Sequence, residues 1–445
     1  MNIVIAGAGA VGTHLARLLI KEDQDLIIID PDIEKVRALE NLNLSARVGS
    51  PTSIKDLRDA EIKHADLFVA VTPYETENIL ACSLASHLGA AKTIARIDNA
   101  EYLREEYRDY FKRFGIDEMI YPEMVAAEEI EMALKKTWVR QWAELGENGS
   151  LLLIAVKVRA DAVKLNNVKM KDLKEANELF HIALIKRRDR VIIPKGDDRV
   201  LPNDLVYFTT TPDNVDFIRR ITNKGEVEIK NIMMMGGSHI ARRTIEHLPK
   251  NFQLKVFETD DEKIAQLAAT LKGIKIFSGD GRDVDLLKEE GIYDTDAFVA
   301  LTDSSEANIL ACLTAKEMGV TKTIAEVENL AYISMAENLN IGTVINKKQI
   351  AASRIYQMLL SRDVSNVKFL TLVNAEVAEL IAKPNSRITQ GMIKDLKLPS
   401  DMTIGGYTRK GEGHLVNGNT QIEEFDHVYV FCLDTAISKL EKLFG

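Results

Sequence analysis

The chain has 445 residues, 46% hydrophobic and 28% charged, with a formal charge of −10. That length exceeds what one hydrophobic core serves and predicts three or four globular domains, while an acidic balance with no cluster of bases argues against a nucleic-acid partner. No apolar run approaches the ~20 residues that span a bilayer, and three cysteines, none in a CxxC pair, argue against a disulfide framework or a structural zinc. Met1 begins the first apolar run, so no signal peptide is expected and the protein reads as cytosolic.

The first elements carry the most information. An apolar run at 2–6 feeds Gly7, Ala8, Gly9, Ala10, Val11 and Gly12, which open an amphipathic stretch through Leu15, Leu18 and Leu19. A second apolar run at 26–29 ends in Asp30, eighteen residues after Gly12. Strand, Gly-rich turn, helix, strand and acid form the dinucleotide-binding fingerprint in its expected context. Gly7 permits the tight turn, Gly9 lets backbone approach a pyrophosphate, and Gly12 lets helix and strand pack closely. Phosphates would rest on unpaired N–H groups at the positive end of the helix, with Asp30 accepting from a ribose.

Further strands are predicted at 46–48, 67–71, 92–97 and 117–121, and helices near 10–21, 32–42, 53–60, 75–88 and 100–112. Such alternation means a parallel, doubly wound α/β sheet with right-handed crossovers. Ligands of these sheets bind beyond the carboxyl ends of the strands, which here carry Gly49 and Ser50, then Thr72 and Pro73, then Arg96. Pro122 suits the first turn of a helix continuing through Val125, Ala126, Ile130, Leu134 and Trp138. This is either a final helix of the sheet domain or a crossover helix packing on a partner subunit. After Trp142 come strand-like runs at 151–158, 182–185, 191–194 and 205–208, broken by turns at 195–198 and 202–204. These predict a small α+β domain, with 221–225 as the linker that follows it.

The pattern then restarts. Residues 232–241 restate the opening, and the block at 66–82 recurs at 296–312 with ten of seventeen positions identical. Lys-Thr-Ile-Ala at 92–95 returns at 322–325, and Asp-Leu-Val-Tyr-Phe at 204–208 is answered by Asp-His-Val-Tyr-Val at 426–430. The chain is therefore a tandem duplication of a Rossmann-like domain followed by a small α+β domain. The expected divisions are 1–137, 138–223, 229–362 and 363–445.

On these motifs the chain resembles, over its full length, the TrkA family of Trk-system potassium-uptake regulators, built from two RCK (regulator of potassium conductance) modules. The resemblance implies a cytosolic protein, peripheral on the inner face of the membrane, that gates an integral-membrane potassium-translocating subunit of TrkH type in response to nucleotide. It also implies a homotetramer, and it favours the crossover reading of the Pro122 helix. The implied cofactor is NAD(H), with ATP or ADP as further candidates for the same cleft. Matching the family's binding positions onto this chain gives Gly7, Ala8, Gly9, Ala10, Val11, Asp30, Thr72, Pro73 and Arg96, together with Gly49 and Ser50. In the second module it gives Gly236, Gly237, Ser238, His239, Ile240, Glu258, Thr302, Asp303 and Glu326.

The two modules are not equivalent. Ser238 replaces the middle glycine and should crowd the approach of a pyrophosphate, and Glu326 replaces Arg96 and should repel phosphate, by roughly 1–4 kcal/mol at surface-like dielectric. The first module is thus expected to bind more tightly, and Asp30 to disfavour the 2′-phosphate of NADP. Replacing Asp30 or Arg96 is expected to abolish the nucleotide response and leave the fold intact. The rival reading is an NAD-dependent oxidoreductase. Against it, no Tyr is followed by Lys four residues on, and the eight histidines are scattered. A regulator for another kind of potassium system would normally carry one copy of the unit. Cys82, Cys312 and Cys432 read as core packing, as do the three methionines at 233–235.

Overall fold

The computed structural model describes residues 1–20, 24–173, 178–188, 190–225, 227–249, 251–359, 366–369, 375–433 and 443–444. The opening alternation of apolar runs and amphipathic stretches becomes β1 (Asn2–Ala6), α1 (Ala10–Ile20), β2 (Asp25–Asp30), α2 (Ile33–Arg37), β3 (Ser45–Val48), α3 (Ile54–Asp59), β4 (Leu67–Ala70), α4 (Glu75–Leu88), β5 (Thr93–Arg96), α5 (Glu105–Arg113) and β6 (Glu118–Ile120). The strands pair in parallel in the order β3-β2-β1-β4-β5-β6. Strand order reverses between β1 and β4, which opens a crevice at their carboxyl ends. Helices cover both faces of such a sheet, so its central strands carry continuous apolar runs; all four residues of β4 are buried.

After α6 (Pro122–Lys135) the chain builds an antiparallel sheet from β7 (Gln141–Leu145), β8 (Leu151–Lys157), β9 (His181–Arg187), β10 (Arg190–Ile192) and β11 (Leu205–Thr210), followed by α7 (Val215–Ile221). Three sequence expectations change here. The Pro122 helix stops at Lys135, and Trp138 is instead buried with Val139 in the small-domain core. β7 was not anticipated: it is an edge strand, mostly half-buried, so it carries no continuous apolar run. The stretch read as a linker is packed at its start, where Ile221 and Thr222 are buried and the Thr222 hydroxyl donates to the Ile218 carbonyl at 2.8 Å.

The second half repeats this order. Its parallel sheet contains β12 (Asn231–Met235), α8 (His239–His247), β13 (Gln253–Glu258), α9 (Asp261–Thr270), β14 (Lys275–Ser278), α10 (Val284–Glu289), β15 (Ala297–Ala300), α11 (Ser305–Glu317), β16 (Lys322–Glu326), α12 (Leu330–Asn338), β17 (Thr343–Ile345) and α13 (Lys347–Leu359). The strand order is β14-β13-β12-β15-β16-β17. The small sheet that follows has β18 (Asn366–Phe369), β19 (Ala375–Ile381), β20 (Met402–Arg409), β21 (Glu412–His414) and β22 (His427–Leu433) in the order β18-β19-β22-β20-β21. That is the order of the first small sheet read from β7 to β10, so the duplication extends to the domains whose sequences have diverged most. The division expected between 362 and 363 lies outside the described residues.

Like associates with like across the duplication. Residues 1–131 and 230–358 form one compact unit, and residues 132–229 and 359–445 form another. In the first unit, Arg243 of α8 donates to the Tyr121 hydroxyl at 3.0 Å, its guanidinium 5.3 Å from the ring centre. In the second, the two small sheets share a core that joins Leu151, Leu153, Leu184 and Tyr207 to Val377, Tyr429 and Phe431. Gly405 permits that approach: a Cβ there would lie 3.0 Å from the Thr209 methyl of the other sheet, whose hydroxyl donates to Gly405 O at 2.7 Å. Each small sheet also sets a partly exposed arginine on a buried aspartate, Arg187 on Asp204 and Arg409 on Asp426.

Cys82, Cys312 and Cys432 are buried and none is in a disulfide, as expected of core residues. Burial pushes the Cys312 thiol up to about 12 and the Cys82 thiol higher still, so neither is a nucleophile near neutrality. Among the described residues no helix is long and apolar enough to cross a membrane.

Candidate functional site

The carboxyl ends of β1, β2, β4 and β5 converge on the first Gly-rich turn. Gly7 adopts φ +110°, and its N–H donates to the Ile29 carbonyl at 2.8 Å. A Cβ on Gly7 would meet the backbone of Val71 and Thr72 at 3.1 Å, and one on Gly12 would lie 1.9 Å from the Gly7 oxygen. Both positions therefore require glycine for backbone reasons. Gly9 differs: an added Cβ there meets no atom within 4 Å. The open space lies over the amino end of α1, whose first intrahelical bond runs from Thr13 N–H to Gly9 O at 2.9 Å. The preceding amides have no partner within the helix and point toward that space.

Asp30 is 5% exposed and ties this turn together. One carboxylate oxygen accepts from Ala8 N–H at 2.7 Å and the other from Asp32 N–H at 2.9 Å. Asp30 is thus a structural clamp as well as a candidate ligand, so replacing it is expected to cost stability as well as binding. A carboxylate oxygen has a second lone pair with which to accept from a further donor. Around this clamp, Gly49 N–H donates to Asp30 O at 3.1 Å, Ser50 N–H to Asp56 at 2.9 Å, and Arg96 Nη1 to Thr72 O at 3.5 Å. Ala10 and Pro73 are exposed at the rim, Val11 is half-buried, and Ala8 and Thr72 are buried.

A residue missed in the sequence holds the far side. Asn78, 1% exposed, accepts from Thr72 N–H at 2.9 Å and donates to Thr72 O at 3.0 Å and Arg96 O at 2.9 Å. One side-chain amide thereby fixes the loop after β4 against the end of β5. Asn308 makes the same three bonds to Thr302 and Glu326. The available signal was its identity within the repeated block, where a buried helical asparagine needs a polar partner.

The second cleft keeps this scaffold and changes its contents. Gly236 again has φ +104°, with its N–H on the Phe257 carbonyl at 2.9 Å. Glu258 takes the place of Asp30, accepting from Gly237 N–H at 2.5 Å, Thr259 N–H at 2.7 Å and Asp260 N–H at 3.0 Å. Its extra methylene is accommodated because Gly237 stands where the first turn has Ala8: a Cβ on Gly237 would lie 2.9 Å from Glu258. Ser238 fills the position of Gly9. Its hydroxyl donates to Leu301 O at 2.7 Å and caps α8 by accepting from Ala241 N–H at 3.3 Å. In the second cleft the protein's own side chain thus fills the position that is open over Gly9 and engages an amide at the helix end. His239 and Asp303 are exposed and Ile240 is buried; Asp303 lies 3.6 Å from Lys263.

The charge inversion at the fifth strand is softened. Glu326 is 2% exposed and 3.5 Å from Lys347, at the start of α13. Burial pushes its carboxyl up to about 7, against the opposing pull of Lys347. A group of this kind repels phosphate less than a free carboxylate would, so the simple repulsion expected from sequence is too strong.

The family models for the TrkA-N domain match residues 3–122 and 232–347, and that for the TrkA-C domain matches 377–445. The chain is 31% identical to the Trk system potassium uptake protein TrkA of Haemophilus influenzae, covering 100% of this chain and 98% of that protein. It is 30% identical to the protein of the same description from Halomonas elongata, with 100% and 98% covered. A solved structure of the GsuK channel bound to NAD superposes with a TM-score of 0.60 at 13% identity, covering 100% of this chain and 78% of that one. At that identity the likeness is one of fold.

Proposed function

The chain belongs to the TrkA family of Trk system potassium uptake proteins, and from that premise we propose that it is a cytosolic, nucleotide-sensing regulatory subunit of a potassium uptake system. The observation that carries the reading is the space over Gly9. It lies at the amino end of α1, clear of any atom within 4 Å of an added Cβ, where backbone amides favour an anion. Gly9, Ala10 and Val11 would hold a pyrophosphate, Asp30 a ribose, and Thr72 and Arg96 the outer edge of the ligand. The ligand is NAD(H) or an adenine nucleotide such as ATP or ADP, and the GsuK channel, of similar fold, has been solved with NAD bound.

The output is conformational. A ligand at the strand ends touches both the Gly-rich turn and the loops after β4 and β5, and it shifts the arrangement of the modules by the difference between its affinities for two states. We assign the partner as an integral-membrane, TrkH-like potassium-translocating subunit, with this chain peripheral on the inner face of the membrane as a homotetramer. The first cleft binds more tightly than the second, because Ser238 occupies what Gly9 leaves open.

Calorimetric titration of the full chain with NADH, NADPH and ATP, alongside co-purification with the membrane subunit, tests this reading. NADH should bind more tightly than NADPH, whose 2′-phosphate would sit against the Asp30 carboxylate. Equal affinity for the two, or no nucleotide binding, counts against the assignment.

A further inference from the structure

A chain of partly buried charges runs between the two clefts of the first unit. It begins with Arg96 at the end of β5, whose Nη2 lies 3.9 Å from Glu123 Oε1. The same Glu123 oxygen is 3.9 Å from Lys347 Nζ, and Lys347 is 3.5 Å from Glu326 Oε1 at the end of β16. The oppositely charged residues at two equivalent strand ends are therefore joined through one acid and one base. These linkers come from the starts of α6 and α13, where the first copy has Pro122 and Glu123 and the second has Lys347 and Lys348. Two identical copies would place like charges there, so the link depends on their divergence.

The network is incompletely satisfied. Arg96 Nε, Glu123 Oε2 and Glu326 Oε1 are buried without a hydrogen-bond partner. Both contacts of Glu123 are well outside the ~2.7–2.9 Å of a formed charge-assisted bond. Other members are firmly held: Glu328 takes Lys347 at 2.9 Å and Lys348 at 2.7 Å, and Arg96 also reaches Asp98 at 3.0 Å. Glu123 alone is suspended between two cations. A small displacement of either one toward another anion hands Glu123 to the other.

We propose that Glu123 is the electrostatic link through which the two clefts oppose one another, so that an anion bound in one lowers the affinity of the other. The proposal rests on the first cleft binding nucleotide as argued above. A phosphate oxygen beside Arg96 competes with Glu123 for the guanidinium. Glu123 then draws on Lys347, and Glu326 is left less neutralised at the edge of the second cleft. In the reverse direction, negative charge in the second cleft recruits Lys347, Glu123 closes on Arg96, and Arg96 is less available to a phosphate. Linkage requires the two effects to be equal.

A double-mutant cycle on the full chain, read as ATP affinity of the first cleft at about pH 8, tests the link. Glu326→Gln removes a charge from the second cleft and frees Lys347 for Glu123, so ATP binding should tighten by about fivefold, the low end of ordinary coupling between sites. In a Glu123→Gln background the same change should have no effect. Lys347→Met, which leaves Glu123 to Arg96 alone, should shift affinity the opposite way and provides a second route if Glu326→Gln folds poorly. An unchanged affinity in both Glu326→Gln and Lys347→Met, or an equal shift with and without Glu123, overturns the proposal while leaving the nucleotide site standing. Absence of ATP and NADH binding to the unmodified chain overturns the site and the link together.

Discussion

Gly9→Ser separates binding from folding most cleanly, because the second module already contains the answer. Gly9 has no neighbour within 4 Å of an added Cβ and needs no positive φ, whereas Gly12→Ala would place a methyl 1.9 Å from the Gly7 oxygen. A serine at position 9 can cap α1 as Ser238 caps α8, through an amide three residues on. Exchanging glycine for serine at a helix N-cap is worth only a few tenths of a kcal/mol in favour of the fold. The same hydroxyl occupies the space over the helix end and engages an amide otherwise open to an anion. Loss of one or two charge-assisted bonds, at about 1.5–3 kcal/mol each, weakens nucleotide binding by roughly 10-fold or more. Titration calorimetry gives the affinity, and a thermal melt of the ligand-free protein gives the stability. We expect weaker binding with an unchanged or slightly raised melting temperature. A Gly9→Ser protein that binds NADH and ATP as the parent does would refute the placement of the ligand.

Three further changes probe the scaffold. Asp30→Ala leaves the Ala8 and Asp32 amides without their acceptor and should destabilise the fold by about 2–4 kcal/mol, seen as a lowered denaturant midpoint even without ligand; an unchanged midpoint would deny the clamp. Asn78→Ala deletes three bonds at once and should cost a similar ~2–4 kcal/mol while also weakening nucleotide binding, since Thr72 and Arg96 lose their common anchor; full retention of both would show the anchor to be idle. The third concerns pH. Burial raises the Glu326 carboxyl from 4.5 to about 7, so its contribution to stability is fully present below about 4.5 and is lost as pH rises through about 7. Melting temperatures measured from about pH 5 to 8 should therefore fall more steeply in the parent than in Glu326→Gln, and parallel profiles would contradict the buried, protonatable carboxyl.

Much of the fold was legible because its cause is local. Glycines forced by backbone contact at 7 and 12, an acid closing β2, and apolar runs of strand length define a parallel sheet without knowledge of distant residues. The repeat offset then carried the same sheet into the second half. What stayed hidden depends on contacts between remote segments. Nothing near Glu258 announces that its longer side chain needs Gly237, and nothing near Glu326 announces Lys347, which faces it at 3.5 Å from the start of α13. The pairing of each domain with its copy brings together segments more than a hundred residues apart. β7 and Trp138 were misread for a related reason: a half-buried edge strand and a residue just past a helix end show their burial only once the small-domain core has formed.

The most direct measurement is potassium flux through the reconstituted membrane subunit, with this chain added and nucleotide varied. We expect NADH and ATP to change the flux, and Gly9→Ser to abolish that change while still co-purifying with the membrane subunit. A Gly9→Ser protein that binds the subunit and responds to nucleotide as the parent does would contradict the assignment of the first cleft as the sensor.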